Sequence, residues 1–189
     1  MGLLALLLGA ALAGGPTDYR FGLVGGAGAG AGTPSPFGDG AASGMGYVTG
    51  RFLVQGVKAS AEFGAREGWA SQDSRSVGNL FFGARIPLGE TLYLRAGFAH
   101  NHEVEASLAI ANPVGASLGS LTGIRHRSGA ELGLGGLLPI EERQLGDRLG
   151  VCGDLGVVAF PDEHGPRAYV FVDASVFIGA GARRGGSGG

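Results

Sequence analysis

Two short stretches in the middle of the chain carry the side chains best suited to chemistry. The first, "GIRHRSGAEL", holds His126 and Ser128, whose spacing of two residues places both on one face of a β-strand. A serine beside a histidine can act as a nucleophile with its general base, and a nearby acid would orient the imidazole. Glu131 lies on the opposite face, so Glu103 or Glu105 is the candidate acid. The pattern makes these residues candidates for a serine esterase site, but the sequence favours an ordinary strand end, and we expect no catalytic residues here.

The second stretch, "HNH", places His100 and His102 on one face of a strand. His126 begins the strand that follows, so the three imidazoles could meet and bind zinc or copper. Histidines at the water-facing end of a strand need no metal, and the sequence favours this plainer interpretation. We therefore expect no metal and no other cofactor. The glycine-rich run "GLVGGAGAGAG" is followed by no helix that could hold a nucleotide phosphate.

Length and composition narrow the class of protein. The 189 residues are enough for one domain with a hydrophobic core. The 40 glycines show no Gly-X-Y period, which excludes collagen, and the formal net charge of -2 argues against a nucleic-acid partner. The single cysteine, Cys152, cannot form an intrachain disulfide, and we expect a buried thiol there.

The first residues predict export from the cytoplasm. A short run rich in leucine is followed by "ALA", which has the small-x-small spacing of a signal-peptidase cleavage site. We predict a signal peptide over residues 1–13, a barrel domain over 14–180 and a flexible tail over 181–189. No later stretch reaches the roughly 18 consecutive apolar residues that a membrane-spanning helix needs.

Apolar and polar residues alternate with a period of two through the rest of the chain, as they do in β-strands. The connections alternate between long and short, which is typical of an outer-membrane barrel with loops outside the cell and turns in the periplasm. We predict an all-β fold, an eight-stranded antiparallel transmembrane β-barrel that runs as an up-and-down meander. The predicted strands cover residues 18–28, 45–55, 58–67, 75–87, 91–101, 124–138, 148–160 and 167–179.

The last strand indicates where the charges of such a barrel lie. Val170, Val172 and Val176 share one face, while Tyr169 and Asp173 share the other. An Arg or Lys on the lipid face near the bilayer midplane costs roughly 2–4 kcal/mol, so the charged face points inward. Side chains of both signs then meet in the lumen, and their salt bridges close it. The residues predicted to form this network are Arg20, Arg51, Lys58, Glu62, Arg85, Arg95, Glu131, Asp154 and Asp173.

One strand pairing can be predicted in detail. A two-residue type II′ turn at residues 56–57 would join the second and third strands. This turn would set Arg51 opposite Glu62 inside the barrel and Gly50 opposite Phe63 outside, where the ring can cover the glycine.

These features resemble the eight-stranded outer-membrane β-barrels of Gram-negative bacteria, the OmpA/OmpX-like group. The resemblance covers about residues 17–180 and rests on the leader, the eight alternating strands, the loop asymmetry and inward charges such as Arg51 and Asp173. It implies a location in the bacterial outer membrane, contact with outer-membrane lipid and lipopolysaccharide, and insertion by the barrel-assembly machinery. Such barrels stabilise the membrane or act as adhesins or surface antigens, and a few are enzymes.

A local pattern, His126-x-Ser128-x-Ala130, is similar to the motif of the lipid A 3-O-deacylases of the PagL family. Those enzymes are eight-stranded barrels that attack lipid from the barrel exterior. The resemblance implies that Ser128 is the nucleophile and His126 its base, on the lipid-facing side of the wall.

We expect a monomeric, non-enzymatic protein with a structural or surface-interaction role. The predicted contact segment, residues 101–123, contains the apolar stretch "SLAIANPVGASL", which is unusual for a solvated tip and is expected to meet lipopolysaccharide or an extracellular partner. One alternative is an outer-leaflet lipid A deacylase that uses His126 and Ser128. The other is a small-solute porin, which a salt-bridged lumen disfavours.

Overall fold

A computed structural model describes residues 20–32, 43–56, 59–70, 75–142, 148–161 and 167–181. The predicted signal peptide and the tail beyond residue 181 lie outside these residues. Among them, no helix has the length and apolar character needed to cross a membrane. The elements in chain order are β1 Arg20–Gly32, β2 Ser43–Gln55, β3 Ser60–Ala70, β4 Arg75–Pro87, β5 Leu92–Glu105, α1 Ala106–Ala111, α2 Pro113–Leu118, β6 Arg125–Glu142, β7 Arg148–Phe160 and β8 Arg167–Gly181.

The eight strands form a closed barrel in which each strand pairs antiparallel with its neighbours in the chain. Closure comes from β1 and β8, which pair from Arg20 opposite Gly181 to Gly32 opposite Tyr169. The predicted meander is therefore confirmed, and β4 and β7 have the predicted bounds. Strand β5 runs four residues further than predicted, to Glu105, and two short helices follow where a loop was expected.

The wall of the barrel has an apolar outside and a mixed inside. In β8 the side chains of Val172 and Val176 are 55% and 48% exposed, whereas Phe171, Asp173 and Phe177 between and beside them are buried. Successive strand residues point to opposite faces, so one period-two pattern supplies both surfaces. Exposed large apolar side chains on seven of the eight strands, with half-buried ones on β4, give the barrel an exterior that suits acyl chains rather than water.

The predicted register between β2 and β3 is wrong by two residues. Strand β2 ends at Gln55 and β3 begins at Ser60, so four residues join them instead of two, and the Gly56 N–H donates a hydrogen bond of 2.9 Å to the Ala59 carbonyl. Phe52 therefore lies opposite Phe63, and Arg51 lies opposite Gly64 rather than Glu62. This register places two aromatic residues, instead of a glycine and a phenylalanine, opposite each other on the outer wall. A shift of two residues keeps each side chain on its predicted face, so Arg51 and Glu62 still point inward.

Apolar side chains fill the lumen near each end. The cluster at the turn end joins the beginning of β1 to the end of β8, and it contains Val24, Leu53, Cys152 and Phe177. The larger cluster towards the loop end contains Met45, Tyr47, Val77, Ala99, Val158, Phe160, Tyr169 and Phe171. Ionised side chains occupy the space between, so the interior is built in layers.

Glycines on the inner wall make room for aromatic rings. A Cβ atom on Gly156 would lie 2.5 Å from Cζ of Phe171 and 2.8 Å from the Leu132 carbonyl oxygen. On the lumen side of the same ring, the guanidinium of Arg66 lies 3.9 Å from the ring centroid. Tyr93 lies over Gly135 in the same way, beneath a guanidinium 4.4 Å from its centroid. Glycine, flat ring and arginine thus stack from the wall inward, and the cation–π contacts help to hold the charges in place.

We predict that Gly156→Ala lowers the free energy of unfolding by about 1–3 kcal/mol, because the new methyl group meets a ring and a carbonyl that cannot both move away. The matched control is Gly50→Ala on the outer wall, where an added Cβ meets nothing within 4 Å. That change should leave the stability equal or raise it by up to about 1 kcal/mol. Urea unfolding of the refolded barrel in detergent micelles measures both values. Equal losses for the two variants would contradict the packing described.

Candidate functional site

The centre of the lumen holds a network of ion pairs around Glu62. Its carboxylate accepts hydrogen bonds from Nε of Arg85 at 2.5 Å and from an Nη atom of Arg95 at 2.9 Å. A guanidinium nitrogen of Arg51 lies 3.6 Å from the same carboxylate. The Glu62 side chain is completely buried, so a carboxylate with three cationic neighbours replaces its lost hydration by ion pairs.

Two branches extend the network from Glu62 to the other side of the barrel. Arg51 donates to Asp154 at 2.5 Å and to Asp173 at 3.1 Å, and it thereby separates two aspartates that lie directly opposite each other in the β7–β8 register. Arg95 lies 3.2 Å from Glu131. The branches connect four guanidinium groups with four carboxylates, so the network is neutral; its members are Arg51, Arg66, Arg85, Arg95, Glu62, Glu131, Asp154 and Asp173.

Seven of the nine residues predicted for the lumen lie in this network. Lys58 and the side chain of Arg20 lie outside the described residues. Arg66, which binds both oxygens of Glu131 at 3.0 and 3.2 Å, was missed by the sequence analysis. It lies four residues after Glu62 on the same strand and so on the same face, and the period-two pattern could have identified it.

A second group of ion pairs lies nearer the loop end of the lumen. Glu103 accepts hydrogen bonds from Arg127 at 2.5 Å and from Arg167 at 3.2 Å, and its side chain is fully buried. The prediction of Glu103 as an acid for a catalytic serine is therefore wrong. The predicted fifth strand ended at residue 101, but β5 continues to Glu105, and the strand alternation turns Glu103 into the barrel, away from Ser128 on the outer wall.

Three histidines and a serine meet on the outer wall, where β5 and β6 approach the loops. His100 lies opposite Ser128 in the strand register, and His102 lies opposite His126. Nδ1 of His100 is 3.0 Å from Oγ of Ser128, and its Nε2 is 3.4 Å from Nδ1 of His126. The imidazole in contact with the serine is therefore His100 and not the predicted His126. Directly opposed residues on paired strands are closer than residues two apart on one strand.

The chain between β5 and β6 lies against the outside of the barrel beside these histidines. We call residues 106–124 the outer-wall segment. Asn112 caps α2 by accepting a hydrogen bond of 2.9 Å from the Gly115 N–H, and Gly119 ends the helix with a left-handed conformation at φ 71°. The Ser117 carbonyl, just before that end, is 3.0 Å from Nδ1 of His102. The segment thus covers His102, which is 3% exposed.

An apolar cluster and one carboxylate hold the outer-wall segment to the barrel. The cluster consists of Val104, Ala109 and Ala116, with Leu121 and Ile124 packed against it. Glu67 points outward from β3, an exception to the inward placement of charges, and it accepts hydrogen bonds from Ser76 and, at 3.3 Å, from Ser117. The segment therefore covers the Glu67 carboxylate, which would otherwise be exposed on the outer wall.

Comparison with known proteins identifies the fold. Neisserial surface protein A (NspA) superposes with a TM-score of 0.50 at 9% identity, over 86% of this chain and 96% of that chain. Ail of Yersinia pestis, in complex with the heparin analogue sucrose octasulfate, matches at 10% identity over 84% and 98% of the two chains, with a TM-score of 0.43. The translocator domain of the autotransporter NalP from Neisseria meningitidis matches at 15% identity over 96% and 94%, with a TM-score of 0.33.

No family model and no curated protein matches the sequence. The likeness to NspA shows that the chain has the fold of the eight-stranded outer-membrane barrels. The resemblance of the His126 and Ser128 pattern to lipid A deacylases stays a prediction.

We predict that Glu62→Gln lowers the free energy of unfolding by about 3–5 kcal/mol, because it leaves buried guanidinium groups without their counter-ion. Glu90→Gln is the matched control, since Glu90 is exposed in the turn between β4 and β5, and it should change stability by no more than about 0.5 kcal/mol. Equilibrium unfolding in urea, followed by the heat-modifiable shift on a gel, compares the two. A loss below about 1 kcal/mol for Glu62→Gln would show that the network does not stabilise the barrel.

Proposed function

We propose that the protein is a non-enzymatic surface protein of the bacterial outer membrane, in which a closed barrel anchors the outer-wall segment at the level of the outer leaflet. The observation that carries this proposal is the position and composition of that segment. It lies outside the barrel rather than above it, and none of its residues from 106 to 124 is charged.

The barrel itself supports a location in the outer membrane. Its strands have 11 to 18 residues, which is enough to span the bilayer where about 9–11 are needed. A closed barrel leaves no unpaired strand edge in lipid. Its exterior exposes large apolar side chains around the circumference, among them Phe21, Phe52, Phe63, Phe98, Leu132, Leu155 and Val172.

The contents of the lumen favour an anchor over a porin. An eight-stranded barrel has an interior that side chains can fill. Here Arg95, at the centre of the ion network, has no exposed side-chain surface, and apolar clusters lie on both sides of the network. A solute would have to separate these ion pairs in order to pass. We therefore infer that the lumen is closed and that the loop end carries the function.

The outer-wall segment suits contact with lipid. Its cluster buries Ala109 and Ala116 against the wall, which leaves Ile110 and Val114 pointing away from the wall at 76% and 67% exposure. A surface of this kind is continuous with the apolar exterior of the barrel. Trp69 lies at the same end of the outer wall, and tryptophan is typical of the boundary between acyl chains and headgroups. The proposed occupant of the surface is outer-leaflet lipid at this boundary.

We predict that a tryptophan at position 110 contacts lipid. In an Ile110→Trp variant that also carries Trp69→Phe, the tryptophan at position 110 is the only one in the chain. In liposomes its fluorescence emission should lie at shorter wavelength than that of tryptophan in water, and brominated phospholipids should quench it. Glu90→Trp in the same background is the control, because its side chain is exposed in a turn on the periplasmic side. Water-like emission at position 110 that brominated lipid leaves unchanged would contradict the proposed contact surface.

A second candidate function rests on the contact between His100 and Ser128. With a distance of 3.0 Å between Nδ1 and Oγ, His100 can take the serine proton while the serine oxygen attacks an ester carbonyl. The ester C–O bond breaks as His100 gives the proton to the leaving alcohol oxygen, and water deprotonated by the same imidazole then hydrolyses the acyl-serine to a carboxylic acid and restores Ser128. The site lies on the outer wall, where lipid A esters are within reach. On its other side, however, His100 meets the imidazole of His126 rather than a carboxylate that would orient it.

Mass spectrometry of lipid A distinguishes the two functions. For the non-enzymatic role, we expect identical lipid A from cells that express the wild type, Ser128→Ala or no barrel. Loss of one acyl chain in the wild type, restored by both Ser128→Ala and His100→Ala, would establish the esterase instead.

A further inference from the structure

We propose that His100, His102 and His126 bind one divalent transition-metal ion on the outer wall, with Zn²⁺ as the preferred ion. One ring nitrogen of each histidine lies within 4.8 Å of the other two. Imidazole is a common ligand of zinc, and three histidines with one open coordination position form a known type of zinc site. The site is distinct from the lipid surface proposed above and does not depend on it.

The hydrogen bonds around two of the rings leave the correct nitrogen available. The Ser117 carbonyl oxygen can only accept, so Nδ1 of His102 carries the proton and its Nε2 has a free lone pair. Oγ of Ser128 can accept from Nδ1 of His100 in the same way, which leaves Nε2 of that ring as the ligand. Metal-binding histidines typically donate their second N–H to a carbonyl, carboxylate or water, and these contacts fulfil that role.

The distance between two of the ligand atoms already fits zinc. Nε2 of His100 and Nδ1 of His126 are 3.4 Å apart. Zinc binds imidazole nitrogen at about 2.0–2.1 Å in tetrahedral geometry, which separates two ligand nitrogens by roughly 3.3–3.4 Å. One ring nitrogen of each of the three histidines lies within 4.8 Å of the others, so a ring rotation that brings His102 closer by up to roughly 1.4 Å completes the three-histidine set.

The outer-wall segment forms one side of the site. A Cβ atom on Gly119 would lie 2.5 Å from Nε2 of His102 and 2.9 Å from Cε1 of His126, so only glycine lets the chain approach this closely. The opposite side is open, because His126 is exposed and His100 is half-buried. A metal ion can enter from this side. Glu67, which accepts a hydrogen bond from Ser117, places a negative charge near the site that favours a cation.

A zinc ion at this position has two consequences for the surrounding structure. It ties β5 to β6 through their side chains and stabilises the packing of the outer-wall segment over His102. It also occupies the nitrogen of His100 that faces His126, and a metal-bound His100 is a poor general base for Ser128. Metal binding therefore opposes the esterase function.

Isothermal titration of the full barrel with ZnCl₂ in micelles tests the site, using protein without a histidine tag. We expect one ion per chain, and a drop in affinity of more than roughly 10- to 100-fold for each of His100→Ala, His102→Ala and His126→Ala, since loss of an outer-shell partner alone has that effect. His164→Ala is the matched control, because the fourth histidine of the chain lies outside the cluster-forming strands and should leave binding unchanged.

A second measurement separates loss of the site from loss of folding. Each variant should keep its heat-modifiable gel shift, and Co²⁺ should give the visible absorption of a tetrahedral ion in the wild type only. The proposal would be overturned by adventitious binding only. In that case the titration is weak, and His164→Ala lowers the zinc affinity as much as the other variants do. So would a folded wild type that takes up no zinc. Neither result would affect lipid contact at position 110, so the two proposals can fail separately.

Discussion

The structure depends on one constraint: an ionised side chain cannot face acyl chains without a large loss of solvation. A period-two strand that presents only apolar residues to lipid must turn its charged residues into the lumen. There the described charged residues are buried, and they pair with one another. Glu62 therefore lies among three arginines, and Arg51 lies between Asp154 and Asp173. The outward carboxylate, Glu67, is consistent with this constraint, because serines and the outer-wall segment cover it.

The same constraint accounts for the composition of the interior. Long arginines need a surface on which their charged planes can rest, and aromatic rings provide it at 3.9 to 4.7 Å for Arg66, Arg85 and Arg95. The rings in turn need wall positions without a side chain, which explains part of the high glycine content. In the proposed function, a barrel filled in this way serves as the anchor. Contact with other molecules is then made by the loop end, where the outer-wall segment and the histidines lie.

The sequence predicted the fold and the direction of its side chains well, because both follow from a period of two that a single strand displays by itself. Asp173 and Arg85 could be placed inside the barrel for this reason. Pairing between strands was harder to predict. The β2–β3 register depended on the length of a turn, and the contact of His100 with Ser128 depended on the β5–β6 register. Glu103 was misplaced because the predicted fifth strand stopped at residue 101, whereas β5 and its alternation continue to Glu105.

The most direct measurement of a sealed, ion-paired interior is the reactivity of Cys152, which faces the lumen and is 4% exposed. A charged methanethiosulfonate reagent is added to the folded barrel in detergent micelles, and labelling is followed by mass. Glu90→Cys with Cys152→Ser provides a water-exposed thiol in the β4–β5 turn for comparison. A packed lumen predicts that Cys152 stays unlabelled until the protein is denatured, while the turn thiol reacts. Labelling of Cys152 in the folded barrel at the rate of the turn thiol would contradict the account and indicate a water-filled channel.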